Sequence, residues 1–391
     1  MKIIHNSLFL TAISVLCMSL MACGKIPLQP TMAIENTTSV VTSSQTKIPN
    51  NQSAVKDATP IEEASNPQND TVLVRFVAVG DVMPGTDFPF NRLPASSRQV
   101  FAGVRDVLRD ADVTFGNFEG SLLDGGEPVK SCQNPDVCYL FRTPTSYAET
   151  LQWAGFNVMS LANNHAADFG EAGRNSSMRA LQSVGIKHAG REGDIARLKV
   201  KDLDIAVIAF APNRGNYSIN DIPRARQLVS ELKKHNHLVV VSFHGGAEGA
   251  AYTRTPQGSE IFHGENRGDV IAFSRGVVDA GADLVIGHGP HVPRAMEIYK
   301  GKIIAYSLGN FATYDGINVR GVNGLAPILH VTLDERGQFK AGKIISATQQ
   351  EYHYPILDPQ HEALKLIRQL TLQDFAGGGL RFAENGEITL Q

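Results

Sequence analysis

From Thr71 onward the chain alternates short apolar runs with amphipathic stretches. Val72 to Val79 is almost continuously apolar and stops at Gly80-Asp81. A run of that length, apolar on both faces, predicts a strand buried inside a sheet. Val113 to Phe115 leads into Gly116-Asn117-Phe118-Glu119-Gly120. Phe156 to Leu161 ends at Asn163-Asn164-His165, Leu238 to Phe243 at His244-Gly245-Gly246, and Ala282 to Ile286 at Gly287-His288. Ile205–Phe210 and Ile303–Tyr306 are further strands, and residues 325–349 predict two more. Between them, apolar positions at helical spacing (Val100, Phe101, Val104, Val107, Leu108) predict a helix, as do residues 147–153, 224–234, 265–280 and 361–373. Strands alternating with helices predict an α/β fold.

The first seventy residues read differently. Lys2 precedes an apolar run from Leu8 to Ala22, broken by Thr11, Ser14 and Ser19. It is short for a bilayer span of about 20 residues and has the form of an export signal. Leu20-Met21-Ala22-Cys23 resembles a bacterial lipobox, which implies cleavage after residue 22 and acylation of Cys23. Of the 47 residues 24–70, 25 are Ser, Thr, Asn, Gln or Pro and none is aromatic. Such a segment cannot bury enough surface to fold, and as a coil would reach about 35–40 Å. The organisation expected is therefore a signal over 1–22, a lipidated cysteine with its tether over 23–70, a folded domain over 71–350 and a C-terminal extension over 351–391 that packs on it. The expected place is outside the cytoplasm, on a bacterial membrane; the absence of Asp after Cys23 leaves an outer membrane open. Cys132 and Cys138, with five residues between them including Pro135, are expected to form a local disulfide. A lone pair at this spacing is a poor zinc site.

Charge narrows the partners. Lys and Arg total 36 against 39 Asp and Glu, for a net charge of −3, so no basic field marks a nucleic-acid binder. No phosphate-cradling glycine loop followed by Lys and Ser or Thr is present, which argues against an ATP-driven ligase.

Side chains able to bind metal recur at the carboxyl ends of strands, where α/β folds gather their ligands. Asp81, Asn117, Glu119, Asn164, His165, His244, His288 and His291 form a mixed oxygen and imidazole set. It suits Mn, Fe or Zn, one ion or two, better than calcium or a thiolate site. Individually each has an ordinary explanation: Asp81 as a turn cap, Asn164 as a turn residue, a histidine as a hydrogen-bonded wall residue. Together they point to a centre that polarises an oxyanion.

The segments Gly80-Asp81-Val82-Met83-Pro84-Gly85, Asn117-Phe118-Glu119-Gly120, Ala162-Asn163-Asn164-His165, His244-Gly245-Gly246, Gly287-His288-Gly289-Pro290-His291-Val292 and Tyr306-Ser307-Leu308-Gly309-Asn310-Phe311 resemble the CapA family, named for capsule and poly-γ-glutamate synthesis. Over residues 72–315 they also resemble the sheet-tip motifs of calcineurin-like metallophosphoesterases. The resemblance implies a four-layer αββα sandwich. It implies Asp81, Glu119 and His291 on a first ion, with Glu119 in the place of a bridging aspartate. Asn164, His244 and His288 would serve a second ion, and His165 would contact the oxyanion or leaving group. Where phosphoesterases usually carry a histidine two residues after the first aspartate, this chain has Met83, so the first ion is short of a ligand that Asp87 or Glu248 would have to replace.

Asn117, Arg142, Glu248, Glu297 and Asn310 are expected around the site or on a substrate, although for Arg142 an ion-paired surface role competes. Two functions follow. One is a metal-dependent hydrolase or transferase acting on a phosphoester or amide bond of an anionic envelope polymer. The other is a non-catalytic lipoprotein that binds, exports or anchors that polymer among the proteins of a membrane synthesis complex.

Overall fold

The computed structural model describes residues 71–130, 139–376 and 379–391. Cys23, Cys132 and Cys138 lie outside the described residues. Two sheets dominate what is described. The first has nine strands, in the spatial order 380–382, 387–390, 339–345, 328–334, 73–82, 113–118, 158–160 and 187–189, with Asn310–Ala312 paired to the end of Leu73–Val82. The second has seven, in the order 296–299, 302–305, 284–288, 238–244, 203–211 and 196–200, with Tyr217–Ser218 at its side.

The layers follow from period-2 alternation along the strands. Val74, Phe76 and Ala78 enter one apolar cluster together with Ile205, Val207, Val240 and Leu284, which is the core between the sheets. Val77 and Val79 point the other way, onto Phe101, Leu108, Leu151 and Leu181. Ala206, Ile208 and Phe210, the alternate residues of the 203–211 strand, meet Val229, Phe273 and Val277. Three apolar layers separate helix, sheet, sheet and helix, which is the four-layer αββα sandwich. Each buried Phe or Val contributes about 1.5–3 kcal/mol.

The helices show where local chemistry sets boundaries. Ile222–Lys233 opens on Asp221, whose carboxylate accepts the Arg224 N–H at 3.0 Å. The stretch read as one helix over 265–280 begins later, at Val270. Asp269 caps it by accepting from Ala272 N–H at 2.8 Å, and Glu265–Asn266 instead pairs with Ile261–Phe262 in a small hairpin. The helix over Val100–Leu108 splits into two single turns, Gln99–Ala102 and Arg105–Leu108, at Gly103-Val104. Gly170–Ser183 is a helix that the apolar pattern hides. Its inner face is Gly173, Arg174, Ser176, Ser177, Ala180 and a single large apolar residue, Leu181, and Ser177 Oγ accepts the Leu122 N–H at 2.8 Å.

Of the C-terminal extension, Leu380–Phe382 and Glu387–Leu390 join the first sheet. Glu387–Leu390 pairs with Phe339–Ile345, and Leu364, Ile367, Leu380, Phe382 and Ile388 lie in the core between the sheets. No helix among the described residues is long and apolar enough to cross a membrane.

Candidate metal centre

Strand register brings the polar tips together. Asp81 lies opposite Asn117 on one side and Asn310 on the other, and His244 lies opposite His288 in the second sheet. The close approach needs Gly80. A Cβ there would fall 1.9 Å from the Gly309 carbonyl oxygen, and that carbonyl accepts the Asp81 N–H at 2.9 Å.

Asp81, Glu119 and His291 are buried and offer ligand atoms all within 4.8 Å of one another. Asp81 Oδ1 accepts from Asn117 Nδ2 at 2.9 Å, and its Oδ2 is 3.1 Å from His291 Nδ1. His291 Nδ1 also lies 3.0 Å from Asn310 Oδ1, while its Nε2 faces Glu119 Oε1 at 3.6 Å. His291 sits in the left-handed region at φ 58°, a conformation that costs about 1–2 kcal/mol and recurs at functional sites. Asn310 Nδ2 donates to the His291 carbonyl at 3.2 Å and so holds the strained residue in place.

Neither carboxylate oxygen of Glu119 has a hydrogen-bond partner, although the residue is fully buried. His244 Nε2 and Asn164 Oδ1 are buried and unpartnered as well. Unsatisfied buried acceptors are costly. Oxygen and imidazole donors left open around an Asp–Glu–His cluster fit a divalent cation such as Mn, Fe or Zn.

Charge states follow from burial and neighbours. Burial raises Asp81, but the hydrogen bond and charge of His291 prevail and hold it at about 2. Burial pushes Glu119 well above the usual carboxylate range, helped by repulsion from Asp81 and Glu248. Burial would lower His291, yet Glu119, Asp81 and Glu248 raise it to about 10. Without a metal, the imidazolium of His291 is the cation among these carboxylates. Burial lowers His165 and His288, and lowers His244 strongly, so all three are neutral imidazoles.

The remaining residues divide. His165 faces the cluster, with Nε2 4.0 Å from Glu119 Oε1. Its Nδ1 lies 2.8 Å from Asp168 Oδ2, and Asp168 Oδ1 pairs with Lys130 at 3.1 Å. Glu248, His165 and His291 line a cleft of about 190 Å³ with Tyr139, Phe141 and Ile317. His288 is not brought into the cluster. The ladder between Leu73–Val82 and Val113–Phe118 shifts register between Ala78 and Asp81, and His288 Nε2 lies 3.1 Å from the carbonyl oxygen of Val79 within that stretch. Arg142 is engaged elsewhere: it bonds Asp87 at 2.7 Å and the Gly126 carbonyl at 2.6 Å, with its guanidinium over the Phe88 ring. Glu297 accepts from Arg275 and from the Tyr306 hydroxyl, both at 2.7 Å, in a separate ion pair.

Asp168 escaped sequence reasoning, although it stands three residues after His165 in a one-turn spacing. So did Arg294 and Glu260, a fully formed buried pair with bonds of 2.7 and 2.8 Å. Arg294 also donates to the Ala247 carbonyl at 3.2 Å, tying the loop after His244 to the loop after His291. Their only signal was the adjacency of Arg294 to the histidine motif.

Residues 75–315 match the family described as bacterial capsule synthesis protein PGA_cap. The chain belongs to this family. Among relatives of the PGA_cap chain, the capsule biosynthesis protein CapA of Bacillus anthracis is 30% identical over 258 residues, covering 61% of this chain and 59% of that protein. The PGA biosynthesis protein CapA of Bacillus subtilis (strain 168) is 29% identical over 255 residues, covering 61% and 63%. The chain thus spans about three-fifths of the length of these relatives. Similar solved structures include the 5'-nucleotidase precursor of Thermus thermophilus, with 13% identity and a TM-score of 0.41 over 78% of this chain and 60% of that one. A purple acid phosphatase from yellow lupin seeds has 9% identity and a TM-score of 0.35, over 71% and 52%.

Proposed function

We propose that this PGA_cap protein is a metal-dependent hydrolase or transferase acting on an anionic envelope polymer of the capsule or poly-γ-glutamate type. The observation that carries the proposal is the fully buried Glu119 carboxylate, without a hydrogen-bond partner, between Asp81 and His291 beside an open cleft. Asp81, Glu119 and His291 would hold one divalent ion, and Asn164 and His244 offer the open donors for another. Such an ion supplies Lewis acidity and a bound water of lowered pKa.

The chain's own groups do the rest. Asn117 and Asn310 hold Asp81 and His291 in place. Asp168 accepts from Nδ1 of His165, which leaves Nε2 directed at the cleft side of Glu119. In that tautomer a neutral His165 presents a bare Nε2 to the cleft, which can take a proton from an attacking water or hydroxyl and, once protonated, pass it to a leaving group. Phe141, whose ring centroid is 4.4 Å from that of His165, limits water on one side. The bond acted on is a phosphoester or an amide of the polymer. The lipobox-like Cys23 and the polar tether support a place outside the cytoplasm, with the domain spaced from a bacterial membrane, outer or inner, and near a synthesis complex.

A second function, binding or export of the polymer without turnover, is favoured by one observation: Met83 stands where phosphoesterases carry a ligand. Metal content by mass spectrometry separates the two, with wild type beside His244→Ala and His291→Ala. One or two equivalents of Mn, Fe or Zn, lost in the variants, together with cleavage of γ-glutamyl polymer or a phosphodiester, supports the enzyme. Polymer binding with no metal and no turnover supports the second function and overturns the first.

A further inference from the structure

We propose that Glu248 completes the first-ion site in place of the ligand that Met83 cannot supply, with Arg267 holding its carboxylate ready. The proposal rests on the metal-centre reading above. Two carboxylates compete for this role. Asp87 is engaged: Arg142 Nε bonds it at 2.7 Å, and Arg142 is itself clamped by the Gly126 carbonyl. Glu248 lines the cleft beside His165 and His291. Its Oε2 is 3.9 Å from His291 Nε2, the same nitrogen that lies 3.6 Å from Glu119 Oε1. His291 Nε2 therefore faces two carboxylates, and Glu119 beside it has both oxygens buried and open.

The backbone at Glu248 is held while its side chain has a choice. Ala247 N–H donates to Glu260 Oε2 at 3.0 Å, and Gly249 N–H donates to the Pro290 carbonyl at 2.8 Å. Glu248 Oε1 pairs with Arg267, a residue only 5% exposed, and its Oε2 is turned toward His291. One carboxylate thus spans a fixed cation on one side and the candidate centre on the other. Met83 offers no such chemistry. It is buried beneath Gly316 in the cleft wall, and a thioether is a soft donor that hard divalent ions do not select.

The test uses the full chain, stripped with chelator and titrated by calorimetry with Mn(II), and for wild type also with Fe(II) and Zn(II), each alone, with the electron paramagnetic resonance spectrum of bound Mn(II) as a second readout. Glu248→Gln is expected to weaken Mn(II) binding by more than about 100-fold, beyond the 10- to 100-fold typical of residues that only position ligands. It is also expected to change the bound-ion spectrum, while Glu248→Asp recovers part of the affinity and Asp87→Asn leaves it within about threefold of wild type. A Glu248→Gln loss below about 100-fold, with the wild-type spectrum retained, overturns the proposal and leaves the metal centre standing. An equal loss in Asp87→Asn also overturns it, in favour of Asp87. Wild type that binds no Mn(II), Fe(II) or Zn(II) overturns the metal centre and this proposal together.

Discussion

At the scale of single residues, His291 is where a proton and the proposed metal would compete. Glu119, Asp81 and Glu248 hold it at about 10 against burial, so at neutral pH the metal-free residue is charged. A metal ligand must be a neutral imidazole, so binding has to expel that proton. Apparent affinity is expected to rise about tenfold per pH unit between about pH 7 and 9 and to level off near about 10. Calorimetry in buffers of different ionisation enthalpy checks this by showing about one proton released from His291 per ion. His165 carries a different prediction. His165→Gln keeps the volume and loses the proton-accepting Nε2, so turnover should fall about 10²- to 10⁴-fold with metal content unchanged. Asp168→Asn should fall less and shift the pH profile, because it disturbs the tautomer and leaves the ring in place. Steady-state rates on γ-glutamyl polymer or a phosphodiester, beside metal analysis, test both.

At the scale of elements, the loops that carry His244 and His291 are joined by a buried ion pair. Arg294 is fully buried and bonds both oxygens of Glu260, while Glu260 also accepts the Ala247 N–H. Removing one partner strands a charge, which costs about 3–5 kcal/mol. Arg294→Met is expected to lose that much in denaturant unfolding, and Glu260→Gln in the same chain to return part of it. Register matters as much as charge here. The shift between Ala78 and Asp81 turns Asp81 to the centre and leaves the Val79 carbonyl for His288, so two residues in similar sequence motifs take different places. Motif spacing carries no information about such a shift.

At the scale of the whole molecule, the C-terminal hairpin closes the edge of the first sheet. Leu380, Phe382 and Ile388 sit in the core between the sheets. At about 1.5–3 kcal/mol each, their loss approaches the 5–15 kcal/mol that stabilises a typical domain. Deleting residues 380–391 is expected to give a chain that unfolds or associates through the bared Phe339–Ile345 edge. Light scattering and thermal melting beside the full chain would show it, and a monomer of unchanged stability would count against the assignment of this hairpin to the core.

The alternation of apolar strands and helices, and the polar residues at the strand tips, were legible in the chain because backbone periodicity and burial impose them residue by residue. The α/β class follows from that patterning, whereas the four-layer sandwich was what the family resemblance implied. The Gly170–Ser183 helix was not legible, since its buried face is mostly Gly, Ser and Ala, with Arg174, and Leu181 is its one large apolar residue there, too little for an apolar stripe. Nor were the pairing of His165 with Asp168, the diversion of His288 to a backbone carbonyl, the engagement of Arg142 by Asp87 or the position of Glu248 between Arg267 and His291. These depend on register shifts and on loops far apart in the chain meeting over the sheet edges. Local sequence determines which residues can be ligands; only the packing of the two sheets decides which of them face one another.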